Sequence, residues 1–330
     1  MKNQKIVFTA PGRAELRDCE VRLPSDNEVL VRTEYTVVSA GTERANLINL
    51  PNVPQTYPKT LGYCGIGYVE KVGGEVSGFK PGDRVLVYHG IHAAYNTISA
   101  NQLTKVEDDR IDSREAAFVI LASMSLGGVR KLEVELGESA MVFGLGILGV
   151  FAAQLLALSG ANPVIAVDYD ANRRNKALEM GADYALPPDV ELVEQVKRLT
   201  GGRGVNATIE VTGSSEALVQ ALDCAAWMGR IALLGCTRVS DCPVDYYNQV
   251  HRPGVKLIGA HNFVRPKVES YPHHWTHQDD CRALLSLLGA GKFKVLPIIS
   301  EIHAPIDAPE VYTRLAYGKD FPLGVMFGWD

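Results

Sequence analysis

Three glycines with a fixed spacing carry the clearest chemical signal in the sequence. Gly144, Gly146 and Gly149 form the pattern G-x-G-x-x-G, after an apolar segment at 140–143 and before another at 147–159. Between a strand and a helix, the first glycine allows a tight turn, the second lets the backbone approach a pyrophosphate, and the third lets the helix pack on the strand. The helix N-terminus then presents free N–H groups to phosphates. The residues predicted to surround a bound dinucleotide are Gly144, Gly146, Ile147, Leu148 and Gly149.

A carboxylate supplies the second sign of dinucleotide binding. Asp168 lies nineteen residues beyond the third glycine, at the end of the next predicted strand. A carboxylate there accepts hydrogen bonds from the ribose hydroxyls and repels a 2′-phosphate. Arg173 and Arg174 follow it and offer positive charge to such a phosphate. Because Asp168 holds the ribose position and Asp170 adds negative charge, the sequence predicts NAD as the cofactor in preference to NADP.

The elements around these residues alternate between strand and helix. Strands are predicted at 140–143, 163–167, 184–186, 207–211, 230–234 and 256–258, and helices at 147–159, 172–180, 190–199 and 216–225. Strands that alternate with helices of this length predict βαβ units and a parallel sheet. This part of the chain is therefore predicted to be a doubly wound α/β domain.

The residues before this domain are rich in predicted strand. Short segments of alternating polarity occur at 28–35, 67–72, 84–88 and 95–99, with Pro, Gly, Asn and Asp between them. Helical spacing begins at Ser113 and continues to Leu132. The last 65 residues are mixed, with a helix at 279–288 and a strand at 325–327. We predict a β domain, then the doubly wound domain, then a tail that rejoins the first domain.

The composition excludes several classes of protein. The chain has 330 residues, 46% of them hydrophobic, and a formal net charge of −5, as in ordinary soluble globular proteins. No run of Lys and Arg suggests a nucleic-acid partner. The longest apolar stretch, near 139–161, is interrupted too often to span a membrane. The six cysteines are scattered without a C-x-x-C pair, so we expect a reducing, cytoplasmic location.

Together these features resemble the medium-chain dehydrogenase/reductase (MDR) superfamily, the relatives of the zinc alcohol dehydrogenases. The resemblance covers nearly the whole chain. Besides the glycine motif and Asp168, it rests on the segments GFKPGDRV at 78–85, GGRGVN at 201–206 and A-x-x-G-R-I-A-L-L-G at 226–235. It implies a GroES-like β-barrel catalytic domain at 1–120, a Rossmann NAD-binding domain at 121–262, and a C-terminal segment at 263–330 that returns to the catalytic domain.

The same resemblance implies the position of the ligands and the state of assembly. In this family the substrate lies between the two domains. Val211, Thr212 and Gly235 match positions that lie along the cofactor. Dimers and tetramers are usual in the family, so we expect a homodimer or homotetramer whose other partner is a small-molecule substrate.

The chain departs from its zinc-dependent relatives at the metal ligands. The family's catalytic cysteine matches Ala40, and its Gly-His-Glu motif matches residues 62–64, where Tyr63 replaces the histidine and Cys64 the glutamate. Residues 119–122, where a third ligand belongs, contain no metal-binding side chain, and residues 84–112 lack the cysteines of a structural zinc lobe. Zinc needs three or four converging ligands, so we expect none. A rescued site built from Cys64, His92 and Glu43 is the alternative.

Without zinc, the proton chemistry falls to side chains of the chain. Thr42 matches the family's serine or threonine that passes the substrate proton outward. Tyr63 can donate a hydrogen bond to the reacting oxygen, or it can simply fill the space of the missing metal. His92 titrates near neutrality and is a candidate proton shuttle, ahead of the neighbouring His89. The predicted catalytic residues are Thr42, Tyr63 and His92.

The sequence thus predicts a zinc-independent, NAD-dependent oxidoreductase. We expect hydride transfer between nicotinamide and a secondary alcohol or its ketone, with a sugar, polyol or cyclitol as the candidate substrate. One alternative is a zinc-free quinone or enoyl reductase, which Asp168 disfavours because NADP is common in that group. The others are a dehydrogenase acting on a large ring, such as a bacteriochlorophyll precursor, and a protein that binds NAD(H) without turnover.

Overall fold

The computed structural model describes residues 2–239 and 241–329. It divides into two compact units, one made of residues 1–121 with 281–330 and the other of residues 122–280. The chain passes from one unit to the other within the helix Val119–Lys131 (α3) and returns within the helix His277–Gly289 (α8).

The first unit is built mainly from antiparallel strands. Its strands are β1 (Lys2–Ala10), β2 (Arg13–Glu20), β3 (Glu28–Val37), β4 (Cys64–Val72), β5 (Arg84–Tyr88), β6 (Tyr95–Ser99), β7 (Leu103–Lys105), β14 (Ile299–His303) and β15 (Gly324–Gly328). Its helices besides α3 and α8 are α1 (Ala40–Leu47), α2 (Ser113–Ala116) and α9 (Ala308–Tyr317). The larger sheet has the order β14-β15-β3-β4-β5-β7, and β6 pairs with β3. The carboxyl-terminal strands are thus part of this sheet, which has the GroES-like architecture.

Helix α9 closes one core of this unit. Tyr312 of α9 is fully buried and meets the ring of Phe8 edge to face, with 4.8 Å between the ring centroids. Phe327 of β15 also packs on Tyr312, with the centroids 5.9 Å apart. Fully burying an aromatic side chain of this size contributes roughly 1.5–3 kcal/mol to stability. These contacts hold α9 and the last strand against the amino-terminal hairpin.

The second unit is a doubly wound α/β domain. Its strands are β8 (Ala140–Phe143), β9 (Val164–Val167), β10 (Tyr184–Leu186), β11 (Val205–Glu210), β12 (Ala225–Leu233) and β13 (Lys256–Gly259), and its helices are α4 (Ile147–Leu158), α5 (Ala171–Glu179), α6 (Leu192–Leu199) and α7 (Ser215–Asp223). A π-helical turn covers Tyr246–His251.

All neighbouring strands in this unit are parallel, in the order β10-β9-β8-β11-β12-β13. Every residue of β8 and β9 is buried, as expected for strands that helices cover on both faces. The strand order reverses between β8 and β11. Ligands of such sheets bind outside the carboxyl ends of the strands at this reversal.

Some elements were absent from the prediction. The hairpin β1–β2 has many polar side chains, and β2 buries only Ala14, so its alternation of hydrophobic and polar residues is weak. Helix α1 combines Gly, Thr, Glu, Arg and Asn within two turns, a composition without helical periodicity. The helix predicted from Ser113 to Leu132 is two helices, α2 and α3. In the parts of the chain that the structure describes, no helix has both the length and the apolar character needed to cross a bilayer.

Candidate active site

The glycine loop of residues 144–149 joins β8 to α4 at the point where the strand order reverses. Gly144 has φ +90°, and a Cβ on it would lie 2.6 Å from Thr212 Cγ2. A Cβ on Gly149 would lie 1.8 Å from the carbonyl oxygen of Gly144. Both positions therefore require glycine for the tight turn and for helix packing. A Cβ on Gly146 would meet no described atom within 4 Å.

The backbone around Gly146 is open to the close approach of a pyrophosphate, since a Cβ there would meet no described atom within 4 Å. The first backbone hydrogen bond of α4 runs from the Val150 N–H to the Gly146 carbonyl, at 3.0 Å. The N–H groups of Ile147 and Leu148 precede that bond and have no partner within the helix. They lie at the positive end of the helix dipole, where an anion is favoured. The residues of this loop therefore match the requirements of a dinucleotide cofactor, which supplies the hydride acceptor or donor when it is bound.

Asp168 follows β9 and lies beside this loop. Its Oδ2 accepts a hydrogen bond from the Leu145 N–H at 2.7 Å, and its Oδ1 accepts one from the Asp170 N–H at 2.8 Å. An ionised carboxylate offers about four acceptor positions, so capacity remains for ribose hydroxyls. Arg174 donates to the carbonyl oxygens of Asp168 and Tyr169, at 2.7 and 2.9 Å. Asp168 thus orders the glycine loop itself, a role that its sequence position did not reveal.

Glu210, the last residue of β11, organises the loop that contains Val211 and Thr212. It is buried, and its carboxylate accepts hydrogen bonds from the N–H groups of Thr212 (2.7 Å) and Gly213 (3.0 Å) and from the Thr212 hydroxyl. Its own carbonyl accepts from the Gly235 N–H at 2.9 Å. Burial raises the pKa of Glu210. Sequence reasoning missed this residue, although an acidic residue ending an otherwise apolar strand is a usable signal.

The first unit brings three hydroxyl groups together at the start of α1. The Tyr63 phenol lies 2.5 Å from Ser39 Oγ and donates a longer, 3.5 Å bond to Thr42 Oγ1. Thr42 and Tyr63 are half-buried, whereas Ser39, immediately before α1, is buried. Burial raises the pKa of Tyr63, so the phenol stays protonated at neutral pH. The structure thus joins two of the predicted catalytic residues and adds Ser39, which sequence reasoning missed.

His92 lies in the core rather than in this hydroxyl cluster. It is 1% exposed. Its Nδ1 is 2.7 Å from Thr36 Oγ1, and its Nε2 is 3.2 Å from Glu43 Oε2. The ring of Phe327 packs on it at 5.4 Å between centroids. Both nitrogens of His92 are therefore engaged with protein groups.

The positions of the family's zinc ligands carry a donor set that does not fit zinc. Ala40 has no donor atom, and the Tyr63 phenol is hydrogen-bonded to Ser39. Cys64 is fully buried, and burial raises its pKa, whereas zinc binds the thiolate form. Within residues 2–239 and 241–329, no three His, Cys, Asp or Glu side chains form a metal-binding group.

Comparison with known proteins identifies the family. The model for the alcohol dehydrogenase GroES-like domain matches residues 25–129, and the model for the zinc-binding dehydrogenase domain matches residues 148–286. The first match contains strands β3 to β7 of the first unit, the second contains most of the doubly wound unit, and they follow one another in the order expected for the superfamily. The chain belongs to the medium-chain dehydrogenase/reductase superfamily, and it is a nicotinamide-dependent dehydrogenase or reductase.

Individual relatives match over almost the full length. D-guloside 3-dehydrogenase of Escherichia coli K12 is 26% identical, over 94% of this chain and 95% of that protein. L-threonine 3-dehydrogenase of Pyrococcus furiosus is also 26% identical, over 93% of both chains. Among solved structures, benzyl alcohol dehydrogenase of Acinetobacter calcoaceticus has a TM-score of 0.86 at 21% identity over the whole of both chains. The predicted superfamily and the two-part fold class are confirmed.

Proposed function

We propose that this protein transfers hydride between NAD and a secondary alcohol or its ketone without a catalytic zinc. The observation that carries the proposal is the hydroxyl cluster of Ser39, Thr42 and Tyr63, since Tyr63 and Ala40, which Ser39 precedes, match the family's metal-ligand positions by sequence resemblance. Relatives named as 3-dehydrogenases of a guloside and of threonine support a secondary alcohol as the reacting group. A sugar, polyol or cyclitol is the proposed substrate class.

The cluster suits the charge that develops in such a reaction. Hydride transfer to a ketone leaves an alkoxide, which needs a proton donor or a Lewis acid. The Tyr63 phenol is half-buried and protonated, so it can donate a hydrogen bond to the developing oxyanion. If the phenol gives its proton to the alkoxide, the Ser39 hydroxyl, which is within hydrogen-bond distance, can donate to the phenolate until solvent supplies a new proton. Thr42 lies farther away, at 3.5 Å, and can act as a second hydrogen-bond donor.

The proposed preference for NAD rests on Asp168. Its carboxylate lies at the end of β9, beside the glycine loop, where it would repel a 2′-phosphate. Arg174 is directed to the backbone carbonyls of Asp168 and Tyr169. Its guanidinium therefore stabilises the β9–α5 turn and is not directed toward the position of a 2′-phosphate.

Metal content and turnover test this proposal together. The purified protein is analysed for zinc by plasma mass spectrometry and assayed with NAD(H) against secondary alcohols, polyols, cyclitols, ketones and quinones, before and after chelation. We expect less than about a tenth of an equivalent of zinc and turnover that chelators leave unchanged. Near-stoichiometric zinc with chelator-sensitive turnover would overturn the zinc-free mechanism, and turnover of quinones alone would overturn the substrate class.

A pair of tyrosine variants tests the role of the phenol. Tyr63→Phe should lower turnover by about a hundredfold, the usual effect of removing one oxyanion donor. Tyr68→Phe is the matched control, because Tyr68 lies nearby in the chain, within β4, and its ring centroid is 5.5 Å from the Arg32 guanidinium. Equal activities of the two variants would show that Tyr63 only fills space.

A further inference from the structure

A buried polar cluster lies behind the hydroxyls of Ser39 and Tyr63. Glu43 and His92 are 0% and 1% exposed, although both side chains are ionisable. Burying an isolated charge costs several kcal/mol, so a buried carboxylate requires hydrogen-bond donors around it. We call the set Thr36, Glu43, His92, Tyr312 and Trp329 the Glu43 cluster.

The carboxylate of Glu43 receives three donors. The Tyr312 phenol donates to Oε2 at 2.6 Å, and the Ser39 backbone N–H donates to Oε1 at 2.8 Å. His92 Nε2 lies 3.2 Å from Oε2. An ionised carboxylate only accepts hydrogen bonds, so this bond forms when Nε2 carries a proton. Glu43 therefore joins the backbone of Ser39 to the imidazole of His92.

The other ring nitrogen of His92 completes the network. With its proton on Nε2, a neutral imidazole accepts a hydrogen bond at Nδ1. The Thr36 hydroxyl lies 2.7 Å from Nδ1 and can donate to it. The oxygen of that hydroxyl in turn accepts from the indole N–H of Trp329 at 2.9 Å. One direction of hydrogen bonding thus gives every polar group of the cluster a partner, and it holds the His92 ring from both sides.

His92 also contacts the chain segment that carries Tyr63. Its backbone N–H donates to the Leu61 carbonyl at 2.6 Å. Gly62 has φ +116°, and a Cβ on it would lie 2.5 Å from Cγ of the His92 ring and 2.3 Å from the backbone nitrogen. Residue 62 must therefore be glycine, and its backbone rests directly on the imidazole. The turn before Tyr63 takes its position from His92.

Resting on the proposed function, we propose that His92 is a positioning residue that sets the distance between Ser39 Oγ and the Tyr63 phenol. Through Glu43 it holds the Ser39 backbone, and through Gly62 it holds the residue before Tyr63. The two hydroxyls meet at 2.5 Å in front of it. Misplacing a reacting group by about 1 Å can cost a hundredfold in rate. His92 therefore acts on the reaction without touching the substrate.

The test observes the Tyr63 hydroxyl directly. Protein labelled with 13C at tyrosine Cζ gives a resonance for Tyr63 that Tyr63→Phe assigns by its loss. His92→Phe keeps a ring of similar size but removes both nitrogens, and His92→Gln restores a donor toward Glu43. His303→Gln is the matched control, because His303 forms a more exposed pair with Glu301 at 2.7 Å.

We expect His92→Phe to shift the Tyr63 resonance and to lower turnover by about tenfold or more, with the affinity for NADH unchanged within about twofold because the glycine loop belongs to the other unit. His92→Gln should recover part of the turnover and bring the Tyr63 resonance part of the way back. The pH dependence of turnover should keep its shape in both variants. An unmoved Tyr63 resonance in folded His92→Phe would overturn the proposal. Loss of one limb of the pH profile in His92→Gln would instead make His92 a proton-transfer group.

One further variant and the comparison of the two readouts keep the outcomes separate. If His92→Phe does not fold, Glu43→Gln replaces it, since the amide keeps the shape of Glu43 and must still move the Tyr63 resonance for the proposal to stand. The resonance needs no substrate. If His92→Phe moves the Tyr63 resonance but the unchanged protein turns over no substrate, the proposed function is rejected and the positioning role stands. If the unchanged protein has turnover but His92→Phe leaves the Tyr63 resonance in place, the proposed function stands and the positioning role is rejected.

Discussion

The backbone N–H of Leu145 donates a hydrogen bond to the carboxylate of Asp168, at 2.7 Å. The two residues belong to different strand–helix connections, one after β8 and the other after β9. Because this bond uses the middle residue of the G-x-G pattern, the acidic residue holds the shape of the glycine loop. The residue expected to select the cofactor's ribose thus also holds the loop that is predicted to bind its pyrophosphate.

This double role predicts different effects for two substitutions of Asp168. Asp168→Asn keeps an acceptor for the Leu145 N–H but loses the charge, so we expect about tenfold weaker NADH binding, the equivalent of one charge-assisted hydrogen bond. Asp168→Ala also leaves the Leu145 N–H without its acceptor and should weaken NADH binding further. Fluorescence titration with NADH and NADPH measures both.

Removing the charge should also strengthen NADPH binding in both variants, because the repulsion of the 2′-phosphate disappears. Asp189→Asn is the control, since Asp189 is exposed and accepts a similar backbone bond from Glu191 at 2.9 Å. Equal NADH affinity in Asp168→Asn and Asp168→Ala would show that the bond to Leu145 contributes nothing to binding.

We expect substitutions at two glycines of this loop to affect stability and NADH binding differently. Gly146→Ala adds a methyl group to open space, so the melting temperature should stay within a few degrees while NADH binding is lost, because the methyl group occupies the room for the pyrophosphate. Gly149→Ala places the methyl group 1.8 Å from the Gly144 carbonyl oxygen, so it should lower both the melting temperature and the affinity for NADH. Thermal melts with and without NADH distinguish them. Tight NADH binding by Gly146→Ala would place the pyrophosphate elsewhere.

We expect the free energy of unfolding to depend on pH through the buried carboxyl group of Glu210. Burial raises its pKa above 4.5, so the folded chain keeps the proton to a higher pH than the unfolded chain does. The charge of Glu210 therefore lowers the free energy of unfolding at neutral pH, and this penalty vanishes as the pH falls through the folded pKa to below 4.5.

Glu210→Gln keeps an acceptor for Thr212 and removes the charge. We expect it to be at least as stable as the unchanged protein at pH 7, with the difference shrinking toward pH 4.5. Glu210→Ala leaves the N–H groups of Thr212 and Gly213 without an acceptor and should lose about 1–3 kcal/mol at every pH. Urea unfolding from pH 4.5 to 8 measures both. A difference for Glu210→Gln that grows toward acid pH would contradict the raised pKa.

Thiol labelling tests where the cofactor lies. Cys236 is exposed and its carbonyl oxygen would be 2.6 Å from a Cβ on Gly213, so it adjoins the loop predicted to line the cofactor. Cys64 and Cys224 are buried, and burial raises the Cys224 pKa to about 12, so both should react only after unfolding. With maleimide at pH 8, followed by peptide mass spectrometry, we expect Cys236 to react first.

NADH should slow the labelling of Cys236 and leave that of Cys19 unchanged, because Cys19 is half-buried in the other unit. Labelling of Cys236 at the same rate with saturating NADH would remove the segment around Gly235 from the cofactor site.

The residues of the candidate cofactor site could be predicted from the sequence, whereas those of the candidate catalytic site could be predicted only in part. The glycine spacing and Asp168 obey a local rule, in which a strand, a tight turn and a helix follow one another within about 30 residues. Strand β8 has the predicted limits, 140–143, because a fully buried parallel strand reads as an unbroken apolar run. Glu210 was missed because its function depends on the backbone of the loop that follows it.

The amino-acid sequence by itself determined the superfamily, and it predicts the dinucleotide loop and the absence of the family's zinc ligands, since each depends on residue type at a fixed local spacing. Only the tertiary structure shows what His92 contacts. Its partners Glu43 and Tyr312 are 49 and 220 residues away along the chain, and strand alternation alone does not show which buried side chains meet. The same holds for the bond between Ser39 and Tyr63, because the packing of β3, α1 and β4 creates it.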